Sequence, residues 1–134
     1  MSRSIICTAN TSTQQVTDGG TVALGSITHR YGCNLGLSDN AIVVNGFGYY
    51  DIDCTVIAAP TTTGIITATL YRNNVAIPGA KSSFTVSAAD DIVTLTIPTV
   101  IREACACQGP TSITCVLSGV ASEVSNVSMK VVKE

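Results

Sequence analysis

The chain contains no tryptophan and only four Tyr and two Phe among 134 residues. Single-strand nucleic-acid channels and many glycan-binding heads present stacked aromatic platforms, and this chain has few rings to offer. Charge is equally scarce. Lys, Arg, Asp and Glu make up 12% of the residues, the net charge is −2 and no basic run occurs, which excludes the cationic stripe of a nucleic-acid binder. No run of about 18 apolar residues occurs, so no helical membrane span is expected. The opening Met-Ser-Arg-Ser-Ile-Ile-Cys-Thr holds one basic residue and, after it, only three apolar ones. A secretory core needs roughly seven to fifteen. The expectation is a chain with no secretory signal of its own, found on a virion or outside the cell after lysis. Amphipathic helical periodicity, repeats of fixed period and low-complexity linkers are absent as well.

What remains is strongly β-prone. Thr, Val and Ile form about a third of the chain, the excess that suits pleated, half-buried surfaces. The stretch Gly46 to Pro60 organises the rest. From Tyr50 its residues alternate: Tyr50, Ile52, Cys54, Val56 and Ala58 share one face, and Tyr49, Asp51, Asp53 and Thr55 the other. Ile52, Cys54 and Val56 are therefore the candidate core. Asn45-Gly46 and Gly48 predict a tight reversal from Ala41–Val44, making a hairpin with this strand.

Further strands are expected at Ser4–Ala9, Thr21–Thr28, Ile65–Arg72, Ser82–Ser87, Ile92–Arg102, Thr111–Leu117 and Asn126–Lys133, with a brief one at Gln14–Thr17. Turns are expected at Asp18-Gly19-Gly20, Asn73-Asn74, Pro78-Gly79 and Ala89-Asp90-Asp91, and a loop over Tyr31–Asn40. Pro98 places its strand at an edge or a bulge. Eight to ten short strands with turns every eight to twelve residues predict an all-β, antiparallel sandwich spanning residues 1–134 as one domain. A mean hydropathy of +0.40 with so few charges predicts apolar surface that one sandwich core does not hide. Self-association is the simplest cover.

Residues able to carry chemistry do not assemble into a motif. His29, the single histidine, has neither a Gly-x-Ser-x-Gly elbow nor a protease cysteine motif near it and reads as a rim histidine. Asp51 and Asp53 lie on one strand face about 6.7 Å apart. A lone pair satisfies neither the apolar pocket of a hydrolytic acid nor the six or more oxygens of a Ca²⁺ site. The six cysteines, Cys7, Cys33, Cys54, Cys105, Cys107 and Cys115, lack the C-x-x-C spacing of a zinc site. Cys105 or Cys107 can reach Cys115 across a hairpin. Cys54, on the apolar face of its strand, reads as a small buried hydrophobe, and a chain without a signal keeps most such thiols free. No enzyme, cofactor or metal is expected.

Gly48-Tyr49-Tyr50 with Val56, the Leu70-Tyr71-Arg72-Asn73-Asn74-Val75 hairpin and the terminal strand Val127–Val132 resemble the jelly roll of complement globular heads and the tumour necrosis factor superfamily. Gly19–Gly25 (Gly-Gly-Thr-Val-Ala-Leu-Gly), Arg30–Asn34 (Arg-Tyr-Gly-Cys-Asn) and Leu117–Val120 (Leu-Ser-Gly-Val) are similar to small proteins of that fold from phages and prophages of Gram-positive bacteria. The resemblance implies a homotrimer that displays a surface or binds a ligand. The expected function is a non-enzymatic structural module, a capsid decoration or fibre tip, with self and other virion proteins as partners. The alternative is a trimeric head recognising a glycan or cell-surface partner through loops such as Asn34–Asn40 or Thr61–Gly64. Tyr49 and Tyr71, outward by alternation, are the candidate residues lining the three-fold axis.

Overall fold

The computed structural model describes residues 4–103 and 110–134. Among these residues twelve strands form: β1 Ser4–Asn10, β2 Gln14–Val16, β3 Gly20–Thr21, β4 Ser26–Tyr31, β5 Leu35–Ser38 and β6 Ala41–Val44. They continue with β7 Gly48–Pro60, β8 Gly64–Arg72, β9 Val75–Val86, β10 Val93–Glu103, β11 Thr111–Ser118 and β12 Ser122–Lys133. Two antiparallel sheets stack face to face. Sheet A has the order β10-β7-β12-β1-β4, with β2 on β12; sheet B has the order β5-β6-β11-β8-β9, with β3 on β11. The fold is an all-β jelly roll.

β7 lies second from the edge of sheet A, paired along its length with β10 and β12. Its alternation places Tyr50, Ile52, Cys54, Val56 and Ala58 in the core, all at 1% exposure or less. Ile66, Ala68 and Leu70 of β8, Ile113, Cys115 and Leu117 of β11, and Val127, Met129 and Val131 of β12 complete it. Burying a Val, Leu or Ile side chain contributes about 1.5–3 kcal/mol, so this shared interior is what holds the two sheets together.

The expected Ala41–Val44 hairpin with β7 does not form. β6 pairs with β5 and β11 in sheet B, whereas β7 belongs to sheet A, so residues 45–47 arch from one sheet to the other. Gly46 and Gly48 take positive φ, 104° and 137°, as a hairpin would have required, but the chain uses them to cross the sandwich. The Tyr50 hydroxyl fastens the arch by donating to the carbonyl oxygens of Asn45 and Gly46, at 3.1 and 2.9 Å. Burial, and to a lesser degree the nearby Glu103 charge, push that hydroxyl's pKa up, so it stays a donor.

Three other expectations need correction. Thr21–Thr28 is not one strand: Val22 and Leu24 are fully buried in a connection between β3 and β4, held by the Gln14 side chain, which bonds both the N–H and the C=O of Ala23. Ile27, inside the same expected strand, is exposed. The polar stretch after Tyr31 contains β5, paired with β6 from Leu35↔Val44 to Ser38↔Ala41. Pro78-Gly79 does not reverse the chain. β9 runs through it as an edge strand, where a missing N–H costs nothing, and a register shift between Thr69 and Tyr71 absorbs the irregularity. Asn73 and Asn74 do form the two-residue turn before it, at φ 49° and 68°. Pro98 likewise sits on an edge strand, β10.

Candidate interaction face

The outward side of sheet A is built by the residues that the core rejects. Strand register orders them into rows. One row runs Val100, Asp51, Val132, Ile5, Tyr31 across β10, β7, β12, β1 and β4. The next runs Pro98, Asp53, Lys130, Cys7, His29, and a third begins Thr96, Thr55, Ser128, Ala9. Beyond the first row, Tyr49 stands opposite Arg102. Val100, Tyr49 and Tyr31 are 55%, 54% and 68% exposed.

Short hydroxyl and apolar side chains dominate this surface, and its central charges offset one another. Lys130 Nζ lies 3.7 Å from Asp53 Oδ2, with both side chains half exposed. Such a pair contributes at most about 1 kcal/mol, so it fixes local charge balance rather than stability. Asp51 shares the face, and the two carboxylates point the same way as expected. His29 sits on the exposed edge strand β4 opposite Cys7. Among the described residues no three His, Cys, Asp or Glu side chains come together in a metal-binding group.

At the edge of the same face the sandwich opens between β10 and β9, which belong to different sheets. The cleft there has a volume of about 400 Å³ and is lined by Arg72, Val75, Ile77, Pro78, Val100 and Arg102, among others. Behind it Arg72 Nη2 donates to Glu103 Oε2 at 2.6 Å. Glu103 is 5% exposed, and its second oxygen, Oε1, has no hydrogen-bond partner among the described residues. Arg72 reaches inward because it shares the core-facing parity of Leu70, and Glu103 shares that of Ile101. No local sequence pattern marks this bridge, because it joins strands of different sheets.

Tyr71 lies on β8 in sheet B, opposite Ala76 of β9, whereas Tyr49 lies on sheet A. The structure does not bring the two tyrosines together. The candidate recognition loops are separated too. Asn34 is fixed against Asn45, ahead of β7, by a 2.8 Å side-chain bond, while Thr61–Gly64 follows the far end of β7, with Thr61 bonded to Ala121. Thirteen strand residues separate these ends, about 40 Å. Cys105 and Cys107, and any reach from them to Cys115, lie outside the described residues.

No family model and no curated protein matches the chain. Solved structures do. Murine APRIL at pH 5.0 superposes with a TM-score of 0.76 at 12% identity, covering 99% of this chain and 100% of that one. The globular domain of the zebrafish complement 1qA protein gives 0.67 at 8% identity, covering 94% of each chain. The PRD1 vertex protein P5 gives 0.63 at 12% identity, covering 97% of this chain and 96% of that one. The fold is thus the jelly roll of tumour necrosis factor-like and complement heads, which a phage vertex protein also adopts.

Proposed function

We propose that this chain is a non-enzymatic display module that works as a homotrimer on the exterior of a virion, as a capsid decoration or fibre tip. The observation that carries the reading is the outward face of sheet A. Its first row sets Val100, Val132, Ile5 and Tyr31 side by side with a single carboxylate among them. Three such faces turned toward a common axis remove this surface from water, and Tyr49 joins it with a ring that buries large area at low entropic cost. Tyr71 points away with sheet B and stays outside the contact. The likeness to complement and tumour necrosis factor-like heads supports a trimer, and the likeness to a phage vertex protein supports the virion setting.

A glycan-reading head is the less supported use of the same trimer. Asn34, where the first expected loop begins, and Thr61, where the second begins, lie toward opposite ends of β7, and Leu35–Ser38 of the first is strand β5 rather than free loop. Light scattering of the purified protein at micromolar concentration, followed by a glycan array, tests the reading. A particle of three times 13.8 kDa that binds no glycan is expected. A stable monomer refutes the trimer, and selective glycan capture refutes pure display.

A further inference from the structure

The cleft between β10 and β9 divides its chemistry along its length. The Asn73-Asn74 turn sets Val75 opposite Arg72, and the Arg72–Glu103 ion pair ties that turn to the end of β10, one residue past Arg102. Both guanidiniums lining the cleft therefore arise at one end of it. Val75, Ile77 and Pro78 of β9 and Val100 of β10 form apolar walls, and Val75 and Val100 are 68% and 55% exposed. Apolar side chains are thus left in water around a concave site of about 400 Å³, the size of a small-molecule pocket.

The guanidiniums are not used up by the protein. A guanidinium fork offers several N–H donors, and the ion pair engages Arg72 through Nη2, at 2.6 Å. A bidentate pair would occupy both oxygens of Glu103, yet Oε1 is buried and has no partner among the described residues. Glu103 thus holds Arg72 in position and offsets its charge without consuming the whole fork. Arg102 has no side-chain hydrogen bond or ion pair among the described residues, which leaves one uncompensated positive charge at this end of the cleft.

We propose that this cleft binds a small amphiphilic carboxylate, a medium-chain fatty acid. Its carboxylate sits at the Arg72 and Arg102 end, and its acyl chain lies along Val75, Ile77, Pro78 and Val100. An inorganic anion would leave the apolar walls wet, and a neutral hydrocarbon would leave the Arg102 charge unanswered; a fatty acid meets both. The wall from Val75 to Pro78 runs about 10 Å at about 3.3 Å per residue, which matches an extended chain of roughly eight carbons at single-bond lengths of about 1.5 Å. The site is complete within one copy. It goes beyond the display reading and stands or falls separately from the trimer.

The test titrates isotope-labelled protein with octanoate and follows the backbone amide resonances. Saturable shifts centred on Val75–Ile77 and on Val100–Arg102 are expected. Hexanoate should bind about ten-fold more weakly, through the loss of two buried methylenes. Octanol, with the same chain and no charge, should bind at least about ten-fold more weakly, through the loss of hydrogen bonds to charged groups. Arg102→Ala should weaken octanoate by about the same factor. Arg30→Ala removes an equal charge from β4, at the opposite edge of sheet A, and should leave binding unchanged. Should Arg102→Ala not fold, the octanol and hexanoate comparisons on the unaltered chain decide alone. No saturable shift at the cleft, octanol binding as tightly as octanoate, Arg102→Ala binding like the parent, or Arg30→Ala losing as much as Arg102→Ala each overturns the proposal.

Discussion

Replacing Val56 by Asp tests the register of β7 more sharply than any other single change. Val56 is fully buried between Leu95 of β10 and Val127 of β12, and among the described residues no cationic side chain belongs to the core around it. Three costs accumulate. Loss of the buried valine removes about 2 kcal/mol of transfer free energy. An aspartate with an ordinary pKa near 3.9 must be kept neutral at pH 7, about 3 units away, which costs about 4 kcal/mol. The neutral carboxyl, without a partner, adds about 1–3 kcal/mol. The total is about 7–9 kcal/mol, against about 5–15 kcal/mol for a whole domain, so Val56→Asp should not fold at neutral pH.

The pH dependence has a definite sign. Burial raises the folded-state pKa of the new carboxyl above its unfolded value. The variant's stability is therefore greatest below about pH 4 and falls as pH rises through the folded pKa. Val56→Ala carries no charge and should cost only about 2 kcal/mol, lowering the melting midpoint by about 6 °C. Circular dichroism melts of the three proteins between acid and neutral pH read this out. A Val56→Asp protein that melts cooperatively at pH 7, within a few degrees of the parent, would refute the placement of β7 in the core.

Other outcomes follow from the same packing. Val100→Asp puts a carboxylate into the apolar row of sheet A beside Asp51 and should convert the assembly to monomers by light scattering, while Tyr71→Asp on sheet B leaves it intact. Arg72→Met strands the buried Glu103 carboxylate and should cost about 3 kcal/mol in denaturant unfolding, most of it recovered by adding Glu103→Leu. Gly119→Ala should cost about 2 kcal/mol or more. Gly119 takes φ 99°, and a methyl group there runs into the Ile65 carbonyl oxygen.

Much of the fold was legible because core-facing parity is a local property. Tyr50 through Ala58, Ile66 through Leu70 and Val127 through Val131 alternate without interruption, and each set is buried. Connectivity between the sheets was not legible. Asn45-Gly46 provides the same positive φ whether the chain folds back on its neighbour or arches to the opposite sheet, so the arch into β7 reads as a hairpin. β5 escaped because Gly36 and Ser38 dilute its alternation to two leucines. Pro78-Gly79 reads as a turn because the sequence does not say which strands are edges.

The interaction face was half legible. Alternation alone marks Tyr49 and Tyr71 as outward, but which sheet each belongs to depends on pairings distant in the chain. That is why the structure separates them. The row from Val100 to Tyr31 draws on five strands and becomes a patch only once register is fixed.

In the proposed trimer, other copies of the chain cover the outward face of sheet A. Cys7 reports on it directly, since it lies in the middle of that face between Lys130 and His29 and is only partly buried within one copy. Its alkylation rate should be measured by peptide mapping at micromolar concentration in the unaltered protein and in Val100→Asp, with exposed Cys33 as the internal reference. Covering predicts slow labelling of Cys7 in the assembled protein and labelling faster by at least ten-fold, on the order of one decade, in the dissociated variant. Equal Cys7 rates in the two proteins, with Cys33 unchanged, would mean that this face stays open to solvent and that no other copy covers it.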